Sequence, residues 1–367
     1  MRVLLEDGFS IEKGTGIGRY TQNLAGELSR QGGLELLTPP PQGIIGRVRP
    51  VSARRILYTA WLETGFQNRL AGLRPDIVHF TNHLVPRARK SKAKYVVTIH
   101  DLTAWRLPGA LPALYARYIR TAIARAVKVA DLILCPSDSI RQEVIEHFGL
   151  DQTKVQTAWN MDSNLPNLSP QRQEEVFQPL SRRLGMRKPF LLFVGTLEHR
   201  KNITTLIEAF GKVAGTSDLQ LVLAGRPGYG FPKIQAAIER QTCRNRCVMT
   251  GFLGDQELAV LYQQADLFVY PSRYEGFGIP LVEAMNFGLP IVASRIPSTL
   301  EVAGEAAIYY EDPLDAGALA QKITEVVAQP GLKEDLARRG RTRAADFASD
   351  KITKQYLEAY QAALNTA

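Results

Sequence analysis

Short apolar runs alternate with stretches of helical periodicity along most of the chain. The apolar runs predict buried strands at 2–7, 77–80, 95–99, 132–135, 190–194, 220–224, 247–250, 267–270 and 290–293. Apolar positions three and four residues apart predict helices at 19–30, 112–129, 203–213, 232–240, 255–265, 280–287 and 352–364. Strands that are apolar throughout and separated by helices are typical of parallel sheets covered on both faces.

A proline-rich stretch interrupts this alternation in the middle of the chain. It spans 164–188 and contains Pro166, Pro170 and Pro179. The chain of 367 residues is also longer than one ordinary domain. We therefore predict an α/β fold of two Rossmann-like, doubly wound parallel-sheet domains facing a cleft. The predicted bounds are 1–165 and 189–347 for the domains and 166–188 for the linker region, and the C-terminal helix within 348–367 is predicted to pack back on the first domain.

Composition excludes several protein classes. No apolar stretch reaches the length that spans a bilayer, and the start of the chain does not resemble a secretion signal, so a cytoplasmic protein is expected. The three cysteines, Cys135, Cys243 and Cys247, lack the spacing of a zinc site and are expected to be free thiols. No Asp-x-Asp motif occurs, so no metal ion is expected.

The positive charge is concentrated in the first part of the chain. Residues 1–165 hold 22 lysines and arginines against 14 carboxylates, whereas residues 166–367 hold 23 against 22. The basic segments 47–55 and 87–94 suit an anionic partner or are ordinary solvated loops. In the helix predicted at 112–129, four cations share one face, namely Arg117, Arg120, Arg125 and Lys128. They suggest peripheral contact with an anionic membrane. No basic stripe interleaved with aromatic residues supports nucleic-acid binding.

The sharpest candidate site follows the strand predicted at 267–270. Glu275 and Glu283 stand eight positions apart and bracket a Gly-x-Gly turn and a proline at a helix start. Glycines let the backbone approach a ligand closely, and proline suits the first helical turn. This geometry suits a phosphate or a sugar ring. The alternative is a pair of solvent-exposed glutamates around a structural turn.

A second candidate site follows the strand predicted at 190–194. Arg200 and Lys201 lie between this strand and the next helix, where the helix dipole also favours an anion. A diphosphate is the ligand that this charge pattern suits, although most such pairs in loops are merely solvated.

Two further stretches in the first domain follow strands. The loop containing Gly14, Gly16 and Gly18 opens a helix but lacks the dinucleotide-binding spacing, which disfavours an NAD site. A plain turn is the alternative. His100 and Asp101 end another strand, and a lone histidine there is more often structural than catalytic. Ser137 is expected to be the N-cap of the following helix.

Together these stretches resemble the retaining glycosyltransferases of family four, which have the GT-B fold of two Rossmann-like domains. Residues 190–210 are similar to the family's strand, Arg-Lys and helix segment, and Glu275 to Glu283 matches its Glu-x7-Glu motif. The resemblance implies that Arg200 and Lys201 neutralise the donor diphosphate, that Glu275 faces the transferred sugar and that His100 contacts it. It places the donor-binding residues at Gly16, Gly195, Arg226, Gly251, Leu253, Gly276, Phe277, Gly278, Ile279 and Glu283, with Glu283 holding the ribose.

The function expected from this resemblance is transfer of a hexose with retention of configuration. GDP-mannose is preferred as donor over UDP-glucose, since the segment ending at Asn202 is similar to mannosyltransferases of the family. A glycan or lipid-linked saccharide is the expected acceptor, and neither a cofactor nor a metal is expected. The alternatives are an epimerase or a glycogen-type enzyme of the same fold, and a sugar-nucleotide or nucleic-acid binding module without turnover.

Overall fold

The computed structural model describes residues 1–6, 16–32, 34–37, 57–58, 60–162 and 164–365. The chain divides into two compact units. The first comprises Met1–Trp105, Pro112–Met161 and Ser349–Ala367, and the second comprises Arg106–Leu111 and Asp162–Ala348. Three parts of the features considered in the sequence lie outside the described residues. They are the basic segment 47–55, Gly14, and positions 366 and 367.

The first unit contains a parallel sheet of six described strands. They are β1 (Arg2–Glu6), β2 (Glu35–Leu37), β3 (Ile77–Phe80), β4 (Lys94–Thr98), β5 (Leu132–Cys135) and β6 (Val155–Thr157). Their order across the sheet is β2-β1-β3-β4-β5-β6. The order reverses between β1 and β3, which makes this pair the switch point of the sheet.

Helices cover the faces of this sheet. They are α1 (Gly16–Leu28), α2 (Gly65–Leu73), α3 (Thr103–Arg106), α4 (Ala113–Val129) and α5 (Asp138–Phe148), with α14 (Ser349–Asn365) at the end of the chain. The N-cap predicted at Ser137 is confirmed, because its hydroxyl accepts a hydrogen bond of 3.2 Å from the Ile140 amide. The core joins Leu24 and Leu28 of α1 to Tyr356 and Tyr360 of α14.

The second unit contains another parallel sheet of six described strands. They are β7 (Phe190–Val194), β8 (Gln220–Ala224), β9 (Cys247–Gly251), β10 (Leu267–Tyr270), β11 (Ile291–Ser294) and β12 (Ala307–Tyr310). Their order is β12-β11-β10-β7-β8-β9, so the switch point lies between β7 and β10. Two doubly wound parallel sheets confirm the predicted fold class.

The helices of the second unit begin inside the stretch predicted as a linker. They are α6 (Pro170–Leu184), α7 (Ile203–Ala214), α8 (Phe231–Glu239), α9 (Asp255–Gln264), α10 (Ile279–Asn286), α11 (Pro297–Ala303), α12 (Ala316–Ala328) and α13 (Pro330–Ala344). Most of 166–188 is therefore helical rather than an open connection. Pro170 stands in the first turn of α6, where its missing N–H costs nothing, and Ser169 caps the helix. Phe177 and Leu180 bury its apolar face.

Candidate active site

The carboxyl ends of β7 and β10 bring three predicted site residues into direct contact. Arg200 Nη1 donates a hydrogen bond of 2.6 Å to Oε2 of Glu275, and Lys201 Nζ lies 2.7 Å from Oε1 of the same carboxylate. Glu198 adds a second carboxylate, which accepts from Arg200 Nη2 at 2.9 Å. We call Glu198, Arg200, Lys201 and Glu275 the ion cluster. Glu275 and Lys201 are only 6% and 7% exposed. Neither side chain is therefore the solvated surface charge that the alternative interpretations of the two motifs assumed.

Burial and charge act in opposite directions on these groups. Burial alone would raise the pKa of Glu275, but Arg200 and Lys201 lower that pKa to about 2. Burial lowers the pKa of Lys201 below its usual range, and the attraction of Glu275 opposes that shift. Glu275 is therefore a carboxylate throughout the physiological pH range, and its charge helps to keep the Lys201 ammonium charged.

The backbone that carries Arg200 and Lys201 is fixed on two sides. The Leu197 amide donates to the Arg226 carbonyl at 2.8 Å, and the His199 amide donates to the Tyr229 carbonyl at 2.9 Å, so the loops after β7 and β8 are joined. Asn202 then adopts a left-handed conformation with φ of +57°. Its side-chain amide donates to the Pro271 carbonyl at 3.0 Å, which ties the start of α7 to the loop after β10.

Glycines permit the close packing of these loops. A Cβ added to Gly225 would lie 1.9 Å from the carbonyl oxygen of Gly195, so no other residue fits between β7 and β8 at this point. The Gly225 amide donates to the Gly251 carbonyl at 3.1 Å. Gly278 precedes α10 with φ of +113°, a conformation that L-residues rarely adopt.

The second glutamate of the motif lies inside α10. Glu283 is 2% exposed, and its Oε2 accepts a hydrogen bond of 2.6 Å from the hydroxyl of Tyr262 in α9. Ile279 is the first residue of α10, and Gly276 in the preceding loop is buried. Phe277 packs its ring edge-on against Phe347 with ring centroids 5.5 Å apart.

Three of the predicted donor-binding residues, Arg226, Gly251 and Leu253, lie at the carboxyl ends of β8 and β9. Arg226 is exposed, and its guanidinium carbon lies 4.2 Å from the centroid of the Phe252 ring. Phe252 is 49% exposed, whereas Leu253 is buried at 5%. Gly251 has φ of +69°, and its carbonyl accepts the bond from Gly225 described above. An exposed arginine stacked on an aromatic ring presents a flat, polar surface.

The two predicted site residues of the first unit are His100, in the loop after β4, and Gly16, at the start of α1. His100 Nε2 donates to the Thr81 carbonyl at 2.8 Å, and its ring meets the Tyr20 ring edge-on with centroids 5.0 Å apart. Burial lowers the pKa of His100, so the neutral form is favoured at physiological pH. Asp101 has a structural role, because its carboxylate accepts from the Thr103 amide at 2.8 Å. Gly16 is the first residue of α1.

Four residues that complete the site were not predicted from the sequence. Glu198 pairs with Arg200, Tyr262 holds Glu283, Asn202 joins two loops, and the Tyr270 hydroxyl accepts a hydrogen bond of 3.1 Å from Lys201 Nζ. Tyr262 and Tyr270 lie on other elements than the residues that they contact, and Glu198 shows no distinctive spacing. Asn202 alone gives a sequence signal, because asparagine between a strand and a helix can adopt the left-handed conformation.

Two doubly wound sheets, one with paired cations and a buried glutamate at its switch point, are the arrangement expected of a GT-B glycosyltransferase. The chain matches the sequence profile "Glycosyltransferase Family 4" over residues 14–161 and the profile "Glycosyl transferases group 1" over residues 177–343. It belongs to glycosyltransferase family four. The resemblance recognised in the sequence is thereby confirmed, and the chain is a glycosyltransferase rather than an epimerase or a module without turnover.

Similar proteins include several mannosyltransferases. The chain is 31% identical to O-antigen chain mannosyltransferase B of Escherichia coli over 287 residues, which cover 78% of this chain and 74% of that protein. It is 25% identical to O-antigen chain mannosyltransferase RfbU of Salmonella typhimurium over 69% of this chain and 65% of that protein. These relatives support a mannosyltransferase-like member of the family.

Solved structures share the fold at lower identity. Sucrose-phosphate synthase from Thermosynechococcus elongatus has a TM-score of 0.78 at 20% identity, with 98% of both chains covered. Anabaena Alr3699/HepE, in complex with UDP-glucose, has a TM-score of 0.70 at 20% identity, with 98% of both chains covered. This likeness shows the fold alone.

Among the described residues, no helix combines the length and the apolar character needed to cross a bilayer. No group of three or more histidine, cysteine, aspartate or glutamate side chains among them is arranged to hold a metal ion.

Proposed function

We propose that this enzyme transfers mannose from GDP-mannose to a glycan or lipid-linked saccharide, with retention of configuration. The observation that carries the proposal is the ion cluster at the switch point between β7 and β10. Ligands of doubly wound sheets bind at this position, outside the carboxyl ends of the strands. In the described part of the chain, the Lys201 ammonium meets two oxygen acceptors, Glu275 and Tyr270. An ammonium has three N–H donors, so one remains for a donor phosphate.

The chemistry proposed for the cluster is electrostatic. Breaking the bond between sugar and diphosphate develops negative charge on the leaving group, and Arg200 and Lys201 are held in place before that charge appears. Fixed cations perform the task that a divalent ion performs in other transferases, and we propose that no metal is needed. For retention, the leaving phosphate accepts the proton of the acceptor hydroxyl on the same face of the sugar, so no protein base is required. His100 is proposed as a sugar contact.

Two observations support a guanine nucleotide and a mannose donor. The relatives at 25–31% identity described above are named as mannosyltransferases. Arg226, stacked on Phe252, offers the planar pair of donors that matches the O6 and N7 acceptors of guanine. Uracil lacks that pair of adjacent acceptors. The two relatives are also named for O-antigen chains, which supports a role in polysaccharide biosynthesis.

A panel of nucleotide sugars tests this proposal. The purified chain is mixed with GDP-mannose, UDP-glucose, UDP-galactose or UDP-N-acetylglucosamine, and release of the nucleoside diphosphate is measured with and without EDTA. We expect GDP-mannose to be consumed fastest, at the same rate in EDTA. Faster turnover of a UDP-sugar would contradict the proposed donor. A loss of activity in EDTA that Mg²⁺ or Mn²⁺ restores would contradict metal independence.

Helix α4 supports a peripheral membrane contact. Leu114 is 84% exposed and Tyr118 is 37% exposed, and exposed Arg117 and Lys128 lie on the same side of the helix. Arg120 is also exposed, but its Nε donates to the Ala104 carbonyl at 2.9 Å and its guanidinium lies beside the Trp105 ring. We propose that the exposed residues of this face bind anionic lipid beside a membrane-linked acceptor.

Sedimentation with vesicles tests the membrane contact. We expect phosphatidylglycerol vesicles to pellet the protein at low salt, phosphatidylcholine vesicles to leave it in solution, and Leu114→Asp to abolish pelleting. Leu314→Asp is the matched control, since Leu314 is 57% exposed in the second unit. Equal losses with both variants, or no pelleting of the unaltered chain, would contradict the contact.

A further inference from the structure

Tyr270 is a fully buried residue at the end of β10 whose side chain contacts Lys201 in two ways. The Tyr270 hydroxyl oxygen accepts a hydrogen bond of 3.1 Å from Lys201 Nζ, and that nitrogen also lies 5.1 Å from the centroid of the Tyr270 ring. The ring stacks on Phe268 with centroids 5.9 Å apart. A single residue thus combines packing in the core with a polar contact at the site.

These contacts cross the switch point of the sheet. Lys201 belongs to the loop after β7, whereas Tyr270 and Glu275 belong to β10 and the loop after it. A buried ammonium is costly unless hydrogen bonds and opposite charge compensate for the lost water. Glu275 supplies the charge, and Tyr270 supplies a neutral acceptor together with the negative face of its ring.

The tyrosine is suited to this role because it remains neutral. Burial raises the pKa of Tyr270 well above its usual range, and the adjacent Glu275 charge raises it further. A phenolate would cancel the positive charge of Lys201, whereas a neutral hydroxyl orients the ammonium and leaves its charge intact. Phenylalanine would fill the same volume without the acceptor.

We infer that Tyr270 is a positioning residue for the reaction, which holds the Lys201 ammonium in place to receive the donor diphosphate. This inference rests on the proposed function, because it assigns Tyr270 to the same site. It requires that loss of the hydroxyl act on catalysis only through Lys201.

The first test is Tyr270→Phe, measured as kcat and KM for the donor over a range of pH. A hydrogen bond to a charged group has a net strength that corresponds to about a tenfold effect or more, so we expect kcat/KM to fall by about tenfold. Without its acceptor the ammonium loses its proton more readily. The alkaline limb of the pH profile should therefore move to lower pH.

A double-mutant cycle provides the decisive test. Lys201→Ala should reduce turnover by at least about a hundredfold, the effect expected when one preorganised charge is removed. If Tyr270 acts through Lys201, the variant with both substitutions should lie within about threefold of Lys201→Ala alone, because coupled residues are not additive. Multiplied losses in the double variant would overturn the inference.

Tyr309→Phe is the matched control. The single proton of the Tyr309 hydroxyl is shared between the Thr299 and Gly304 carbonyls at 3.2 and 2.8 Å, so removing the hydroxyl costs a buried contact with the backbone in the same unit without touching the ion cluster. We expect a lower melting temperature but an unshifted pH profile. An equal pH shift in the control, or an unchanged profile in Tyr270→Phe, would contradict the inference.

Folding and function are separated by two further measurements. If Tyr270→Phe does not fold, Tyr270→Met is tested. If neither variant folds while Lys201→Ala does, Tyr270 is a folding residue and the inference is wrong. Calorimetric titration with GDP distinguishes the two proposals. A wild-type chain that binds neither GDP nor UDP refutes the proposed function, whereas equal GDP affinity and turnover in wild type and Tyr270→Phe refute only the role of Tyr270.

Discussion

The hydroxyl of Tyr262 donates a hydrogen bond of 2.6 Å to Oε2 of Glu283, and both side chains are buried. The bond fixes one carboxylate oxygen of the residue that we propose to hold the donor ribose. Tyr262→Phe should therefore raise the KM for the donor by about tenfold, the effect of one hydrogen bond to a charged group, and change kcat little. Steady-state kinetics check this. A fall in kcat at unchanged KM would place Glu283 at the reacting bond instead of at the ribose.

The contact between Gly225 and Gly195 predicts a loss of stability. In Gly225→Ala the new methyl group would lie 1.9 Å from the Gly195 carbonyl oxygen, so strands β7 and β8 must separate at their carboxyl ends. We expect a loss of at least about 2 kcal/mol in urea unfolding, the cost of overpacking a rigid contact. Gly215→Ala is the control, because its nearest neighbour would be 3.8 Å away. Equal stabilities of the two variants would contradict the packing described here.

The lowered pKa of Glu275 predicts a distinct pH dependence of stability. Its pKa is about 2 in the folded chain and about 4.3 in an unfolded one, so its ionised form stabilises the fold fully above pH 4.3, and this contribution is lost as the pH falls towards 2. Glu275→Gln removes this stabilising contribution at neutral pH and leaves Arg200 and Lys201 without their shared carboxylate. We expect a loss of about 3 kcal/mol at pH 7.

The difference between wild type and Glu275→Gln should therefore be constant from pH 7 to 5 and shrink below pH 4. Urea unfolding at several pH values measures it. Glu305→Gln is the control, since the Glu305 side chain is 93% exposed, and it should leave the stability unchanged throughout. A difference between wild type and Glu275→Gln that grows on acidification would contradict the shift.

The contact proposed for Arg226 predicts which nucleotide the protein binds. If its guanidinium contacts guanine, Arg226→Ala should weaken GDP binding by about tenfold or more, since a bidentate contact to a base contributes about 1–3 kcal/mol, and should leave UDP binding nearly unchanged. Calorimetric titration of both nucleotides measures this. Arg244→Ala, which changes an exposed arginine at the amino end of β9, should affect neither. Equal losses of affinity for GDP and UDP would indicate that Arg226 contacts the phosphates instead of the base.

The strands were predicted well because buried parallel strands are continuously apolar. Residues 77–80, 132–135, 190–194, 220–224 and 267–270 are strands with the predicted bounds. Short strands such as β2 and β6, with three residues each, are too brief to give such a run. Helix α6 was missed since prolines at 170 and 179 suggested a break, although the first occupies a position where proline is tolerated and the second lies within the helix.

The site was predicted only in part, for a physical reason. Glycine turns, paired cations and the glutamate spacing are local features, and they predicted candidate residues. The contacts between Arg200 and Glu275 or between Lys201 and Tyr270 join residues about 70 positions apart. They depend on β7 lying beside β10, which no local pattern encodes. Tyr270 in particular resembles any apolar residue of a buried strand.

A nucleoside diphosphate is proposed to bind at the ion cluster of the second unit. A crystal structure of the protein soaked with GDP tests it most directly. We predict density for the diphosphate within hydrogen-bonding distance of Lys201 Nζ and for the ribose hydroxyls at Glu283. GDP bound away from both side chains, with the contact between Lys201 and Glu275 unaltered, would contradict the account.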